Sequence, residues 1–183
     1  LARIAQLENN IIEAQVGLMN SYFMDKQYRN AIAQAERTLE VVKSGREEIR
    51  SIYILAKSYY TLGERDKAIN YLNKLAVDKI SAEGAESAYL IISDVFDQGD
   101  FAQVEKMVYD FADSRTPQTY WLAKSYILLG DTFAERENWE QAEATYKSIL
   151  ESYKSESKDD IEEQIKMRLS KIEEIKRERD ENR

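Results

Sequence analysis

Residues 126–146 read YILLGDTFAERENWEQAEATY, and this stretch decides the fold. Tyr126, Leu129, Gly130 and Phe133 fall at the three- and four-residue spacing of one helix face. Trp139, Ala142, Tyr146 and Ile149 do the same a few residues later. The stretch predicts two helices joined by a tight turn. The same reading applies outward along the chain. Leu18, Met19, Tyr22 and Phe23 recur at helix spacing, as do Ile52, Leu55, Ala56, Tyr59 and Tyr60, and then Ile91, Ile92, Val95 and Phe96. No alternating segment bounded by turn residues stands out as a strand. Short loops are expected at Ser44-Gly45, Leu62-Gly63-Glu64, Gln98-Gly99-Asp100 and around Thr116-Pro117. Pro117 suits a first helical position, and no domain linker is evident.

The pattern repeats. Ala31, Ala68, Val104 and Ala142 occupy one column, at separations of 37, 36 and 38 residues. Thirteen residues before them stand Leu18, Leu55, Ile91 and Leu129, and nine before them Tyr22, Tyr59, Val95 and Phe133. Three before them stand Tyr28, Arg65, Phe101 and Trp139. Ala35, Leu72, Val108 and Tyr146 follow four after, and Thr38, Leu75, Phe111 and Ile149 seven after. Columns shared across two helices and a turn are far more specific than amphipathicity.

Composition narrows the chemistry. The chain has 183 residues, 43% hydrophobic and 33% charged, with no histidine and no cysteine. That excludes disulfides, Cys/His metal sites, thiol nucleophiles and every histidine-based triad. Six glycines and one proline argue against a turn-rich all-β fold. No apolar run approaches the roughly 18 residues that span a bilayer. The net charge of -8 argues against general nucleic-acid binding. That charge is uneven: residues 1–81 carry 12 basic and 10 acidic groups, residues 82–153 carry 5 and 14, and residues 154–183 carry 9 and 10.

These columns resemble the tetratricopeptide repeat family, and more specifically bacterial multi-repeat members of it. The family unit is a helix–turn–helix with a large apolar, a small and an aromatic residue in the first helix, then an aromatic and an alanine in the second. Tyr126, Leu129, Gly130, Phe133, Trp139, Ala142 and Tyr146 match closely. Ile52, Leu55, Ala56, Tyr59, Gly63, Ala68 and Leu72 match well. Met19 replaces the small residue of the first unit, and Ile92 and Val104 are bulky in the third, where looser packing is expected. The family's closing proline is absent, and the pitch of 36–38 exceeds its roughly 34 residues. The longer pitch resembles arrays of bacterial cell-envelope proteins. The compartment stays open between bacterial periplasm or cell envelope and cytoplasm.

The resemblance implies an all-α, right-handed superhelical solenoid. Four repeats are expected at about 11–45, 46–80, 81–116 and 117–154. Residues 1–10 read as the end of a preceding repeat's second helix, because Leu1, Ile4 and Ala5 match Leu72, Leu75 and Ala76 in register. Residues 155–183 read as a capping helix and polar tail. Ile161, Ile165, Leu169, Ile172 and Ile175 form its apolar stripe from about Asp159 to Arg179, with Ser157 as N-cap. The chain so read is the C-terminal part of a longer repeat protein.

The implied function is a non-catalytic scaffold that binds a protein or peptide in the concave groove lined by the first helices. By analogy the partner-binding residues are Asn20, Tyr53, Lys57, Tyr60, Tyr89, Phe96, Asp97, Asp131 and Glu135. Tyr53 and Tyr89 occupy equivalent positions and suit a peptide anchor; the competing reading is that such rings fill gaps between helices. The acidity of repeats three and four points to a partner with a basic segment, against the alternative of a solvated face. Val16, Lys57 and Glu86 stand where a clamp for a terminal carboxylate would need other residues, so that specialisation is rejected. Asp94, Asp97 and Asp100 lack calcium-loop spacing, and an open groove does not suit two-carboxylate hydrolysis. No cofactor, nucleic acid or membrane span is expected, and the chain is read as a monomer. The alternative function is a purely architectural segment that binds nothing of its own.

Overall fold

The computed structural model describes residues 2–154 and 159–181, and within them every regular element is an α-helix. In chain order these are α1 (Ala2–Met24), α2 (Tyr28–Val41), α3 (Arg46–Thr61), α4 (Arg65–Leu75), α5 (Ala82–Asp97), α6 (Phe101–Asp113), α7 (Thr119–Glu135), α8 (Trp139–Ser152) and α9 (Ile161–Glu181). They fall into two compact units, Leu1–Val77 and Asp78–Arg183. The repeat columns by themselves imply four repeats in one run without a linker. The division falls in the connector 76–81, which is longer than 42–45 or 114–118.

In the first unit α1 packs on α2, α2 on α3, and α3 on α4. Its core is Met19, Ala31, Ala35, Ile54, Leu55, Ala68 and Leu72, all buried. Each large apolar side chain so buried contributes about 1.5–3 kcal/mol. Residues 2–24 form one unbroken helix. The segment read as the end of a separate preceding helix therefore continues into α1. Nothing between Ala2 and Val16 breaks a helix, since no glycine or proline interrupts it. Of that reading, Leu1 lies outside the described residues.

In the second unit α5 pairs with α6 and α7 with α8, while α7 packs on both α5 and α6. Val104, Val108, Phe111, Ile127, Leu129 and Tyr146 are buried between them. Bulky Ile92 and Val104 are buried too, and the α5–α6 pair packs less closely than the other three hairpins. The fourth hairpin does the opposite. A Cβ placed on Gly130 would stand 2.3 Å from Tyr146 Cε1, so glycine is what lets α8 approach α7. α9 lies against α7 and α8 and buries Ile161, Ile165 and Ile172 there. Its first turn is held by Asp159 Oδ1, which accepts from the Ile161 N–H at 3.1 Å. Ser157, expected as N-cap, lies outside the described residues.

Repeat register is visible in the backbone itself. Each hairpin turns over three residues, and the middle one is left-handed: Lys26 (φ 60°), Gly63 (φ 76°), Gly99 (φ 77°) and Glu137 (φ 55°). These four stand at the 37, 36 and 38 spacing of the sequence columns. The residues that follow, Gln27, Glu64, Asp100 and Asn138, share one backbone conformation before the second helix begins. Asp100 and Asn138 cap it through their side chains. A second column consists of buried Ser51, Ser87 and Ser125, each donating its hydroxyl to the carbonyl four residues back. That local bond satisfies a polar group that would otherwise be costly to bury.

The connector before α7 departs from expectation. Pro117 precedes the helix by two residues, so it does not occupy the first helical position. The Thr116 hydroxyl donates to the Lys79 carbonyl at 2.6 Å and accepts from the Gln118 N–H at 3.1 Å, which holds 116–118 as a turn.

The left-handed column carries a stability prediction. An L-residue there costs about 1–2 kcal/mol, whereas glycine gives back roughly 0.5–1 kcal/mol of chain entropy. Lys26 is exposed. Lys26→Gly is therefore expected to raise stability by about 0.5–1 kcal/mol, measured by urea titration followed by circular dichroism. A fall in stability would show that the Lys26 side chain contributes more than its backbone costs.

Candidate functional site

The first helices of the hairpins present the residues read as partner contacts. In the first unit Asn20 of α1 accepts a hydrogen bond from Arg50 Nε of α3 at 2.8 Å. The Arg50 guanidinium lies 5.5 Å from the Tyr53 ring centroid. Asn20, Tyr53, Lys57 and Tyr60 are all half-buried. Arg50 thus ties α1 to α3 and covers part of an expected anchor ring. Tyr59, one residue before Tyr60, points inward instead; it stacks on Tyr71 with centroids 5.9 Å apart, and its hydroxyl donates to Glu36.

In the second unit Tyr89 of α5 stacks on Trp121 of α7, with centroids 5.5 Å apart. Lys124 sits over the same ring at 5.5 Å. Trp121 meets Tyr120 edge-on at 4.9 Å, and the Tyr120 hydroxyl donates to Asp160 at 3.0 Å. Lys124 also pairs with Asp160 at 3.7 Å. Tyr89 therefore fills space between α5 and α7 while staying half-buried. Phe96, at the end of α5, packs on Phe101 across the turn. Asp97 is the last residue of α5 and Glu135 the last of α7, and both are exposed. Asp94 and Asp100, near Asp97 in sequence, are used locally: Asp94 accepts from Gln98, and Asp100 caps α6.

Asp131 has a different role from the one its position suggested. Arg168 of α9 grips its carboxylate with two bonds, Nε to Oδ1 at 2.6 Å and Nη2 to Oδ2 at 2.8 Å. The Tyr146 hydroxyl donates to the same Oδ1 at 2.6 Å. Burial and the neighbouring Asp131 charge push the Tyr146 phenol up from its ordinary range. The Asp131 hydrogen bond holds the Arg168 guanidinium above its own. Two further ion pairs tie α9 down: Arg179 to Glu137 at 2.7 Å, and Lys176 to Glu143. Arg179 also covers the Trp139 ring at 5.6 Å. The acidic repeats thus receive a basic segment from within the chain.

α9 was missed as a source of site residues. Arg168 stands 37 residues beyond Asp131, and Asp131 shares a column with Asn20, Lys57 and Ser93. That spacing was the available signal. Arg168 and Lys171 join Phe96, Asp131, Glu135 and Trp139 around one cavity of about 570 Å3. Three of the nine expected contact residues, Phe96, Asp131 and Glu135, meet there.

Two shifted groups set a pH window for the α9 seat. Bonds from Lys147 and Lys176 pull the Glu143 carboxyl down to about 2. Burial and the bond to Asp160 push the Tyr120 phenol up to about 12. A depressed carboxyl stabilises the fold above its unfolded value of about 4.5 and loses that contribution as pH falls toward 2. A raised phenol stabilises the fold below about 10 and loses that contribution as pH rises toward 12. Melting temperature is expected to fall on both sides of that plateau. Glu143→Gln should flatten the acid limb and Tyr120→Phe the alkaline one; unchanged limbs would contradict the assignment.

Residues 50–78 and 120–155 match the sequence profile of the tetratricopeptide repeat family. Those two segments are tetratricopeptide repeats. A search of curated proteins gives no significant match. The two matched segments are the repeats built on α3–α4 and α7–α8. They carry Ala56 and Gly130 at the small-residue position, where Met19 and Ile92 stand in the other two hairpins. Tetratricopeptide repeats are a protein-interaction scaffold, of a kind that is typically non-catalytic.

Proposed function

We propose that this tetratricopeptide repeat chain is a non-catalytic scaffold that binds a peptide or protein segment along the first-helix face. The observation that carries this reading is the α5–α7–α9 cavity, where Phe96 and Glu135 meet. A space of about 570 Å3 suits a few side chains of a bound segment. The exposed carboxylates Asp97 and Glu135 end α5 and α7, where the helix dipoles add negative potential. Both features favour a segment that carries positive charge.

The architectural alternative draws on the Asp131–Arg168 pair, which already occupies one expected contact. Selection of a random displayed peptide library on the immobilised chain separates the two. The scaffold reading expects enriched peptides that bind Phe96→Ala/Glu135→Gln at least about tenfold more weakly. No enrichment over an unrelated helical protein would leave the architectural role.

A further inference from the structure

The cavity described above has two rim charges that the described residues leave unanswered. Glu135 and Lys171 both line it and both are exposed, and neither makes an ion pair with the described residues. The other rim charges are matched: Asp131 by Arg168 and Glu137 by Arg179. Glu135 closes α7, so the negative end of that helix dipole adds to its pull on a cation. Lys171 lies on α9, three residues beyond Arg168, and faces the same space. The same cavity also has apolar lining from Phe96, Ala134 and Ile172. Trp139 lines the cavity as well.

We propose that this cavity takes a dipolar peptide segment, in which a Lys or Arg side chain meets Glu135, an apolar side chain rests between Phe96 and Ile172, and a carboxylate meets Lys171. The proposal rests on the scaffold reading and sharpens its partner chemistry. A uniformly basic segment would bring a second cation against Lys171 and Arg168. A uniformly acidic one would bring a carboxylate against Glu135 and the end of α7. Like charges brought together on docking reject the wrong partner more effectively than the matching pairs strengthen the right one. On this view α9 is a wall of the binding site as well as the helix that covers α7 and α8.

The test uses terminally blocked peptides, Ac-Ala-Lys-Leu-Glu-Ala-amide and its reversed-charge order, beside all-Lys and all-Glu versions. Binding is read from the indole N–H signals of the nitrogen-15-labelled chain, whose tryptophans are Trp121 and Trp139. At least one dipolar peptide is expected to shift the Trp139 signal, with Glu135→Gln and Lys171→Gln each weakening it about three- to tenfold. Lys171→Glu should turn the preference toward the all-Lys peptide. Circular dichroism checks that these exposed substitutions leave the fold intact. Tight binding of the all-Lys peptide without dependence on Lys171 overturns the dipolar assignment and leaves the scaffold reading standing. Absence of any shift with all four peptides overturns the assignment too, and the library selection then decides the scaffold reading separately.

Discussion

Gly130→Ile is expected to destabilise the second unit by about 3 kcal/mol or more. The added Cβ alone would stand 2.3 Å from Tyr146 Cε1 and 2.8 Å from two further ring atoms. Overpacking of this kind costs about 1–3 kcal/mol for modest insertions and more for larger ones. Two things keep the ring from retreating. Tyr146 is about 1% exposed, and its hydroxyl is bonded to Asp131, which is in turn held by Arg168. Gly130→Ala should cost only about 1 kcal/mol, because alanine recovers roughly 1 kcal/mol of helix propensity. Both tryptophans lie in the second unit, so their fluorescence during urea unfolding reports the change. Isoleucine already occupies this column at Ile92, where the hairpin packs less closely. A Gly130→Ile chain of unchanged stability would mean that α7 and α8 can separate in the same way.

Asp131→Ala is expected to cost about 2–3 kcal/mol. The substitution strands the Arg168 guanidinium and the buried Tyr146 hydroxyl together. Breaking a fully buried pair costs about 3–5 kcal/mol. The figure here is lower because the Arg168 and Asp131 side chains keep 29% and 20% of their exposure. Arg168→Ala alone should cost less, since Asp131 keeps its bond from Tyr146. The two effects are expected to be non-additive by about 1 kcal/mol or more in a double-mutant cycle. Strict additivity would show that the pair contributes nothing as a pair. Hydrogen exchange along α9 gives an independent reading, because the same substitution should speed it there before the rest of the unit.

The hairpins were legible in sequence because their packing is local. Residues three and four apart make the apolar face, and the 36–38 spacing repeats it. The left-handed turn was legible only at Gly63 and Gly99. Lys26 and Glu137 adopt the same conformation but carry no chemical sign of it. The serine column at 51, 87 and 125 had the right spacing and went unread, because a serine on a helix usually signals a cap or a solvated face. The reading of Leu1, Ile4 and Ala5 as an earlier second helix had a different cause. First and second helices share one apolar period, so a register match cannot tell them apart without a breaker between them.

The candidate site was legible by halves. The family resemblance implies that Phe96, Asp131 and Glu135 stand on the first-helix face, and the structure gathers them at one cavity. What each carboxylate meets was not legible. Arg168 and Lys171 arrive on α9, after the connector 153–160, and side-chain partners across such a segment follow from packing rather than from spacing. The acidity of repeats three and four was correctly located, but part of what answers it is the chain's own Arg168, Lys176 and Arg179.

The uniform three-residue hairpin turn has a consequence for where this chain tolerates change in length. All four turns place one left-handed residue at the same point, and shifting it by one position would rotate the second helix by about 100° and turn its apolar face away. The stretches between hairpins obey no such rule, since 42–45 and 114–118 already differ in length. Insertions, epitope tags or protease sites therefore belong after Ser44, in an exposed stretch where lengthening a loop costs little. The same few residues placed between Asp25 and Gln27 would dismantle the first hairpin.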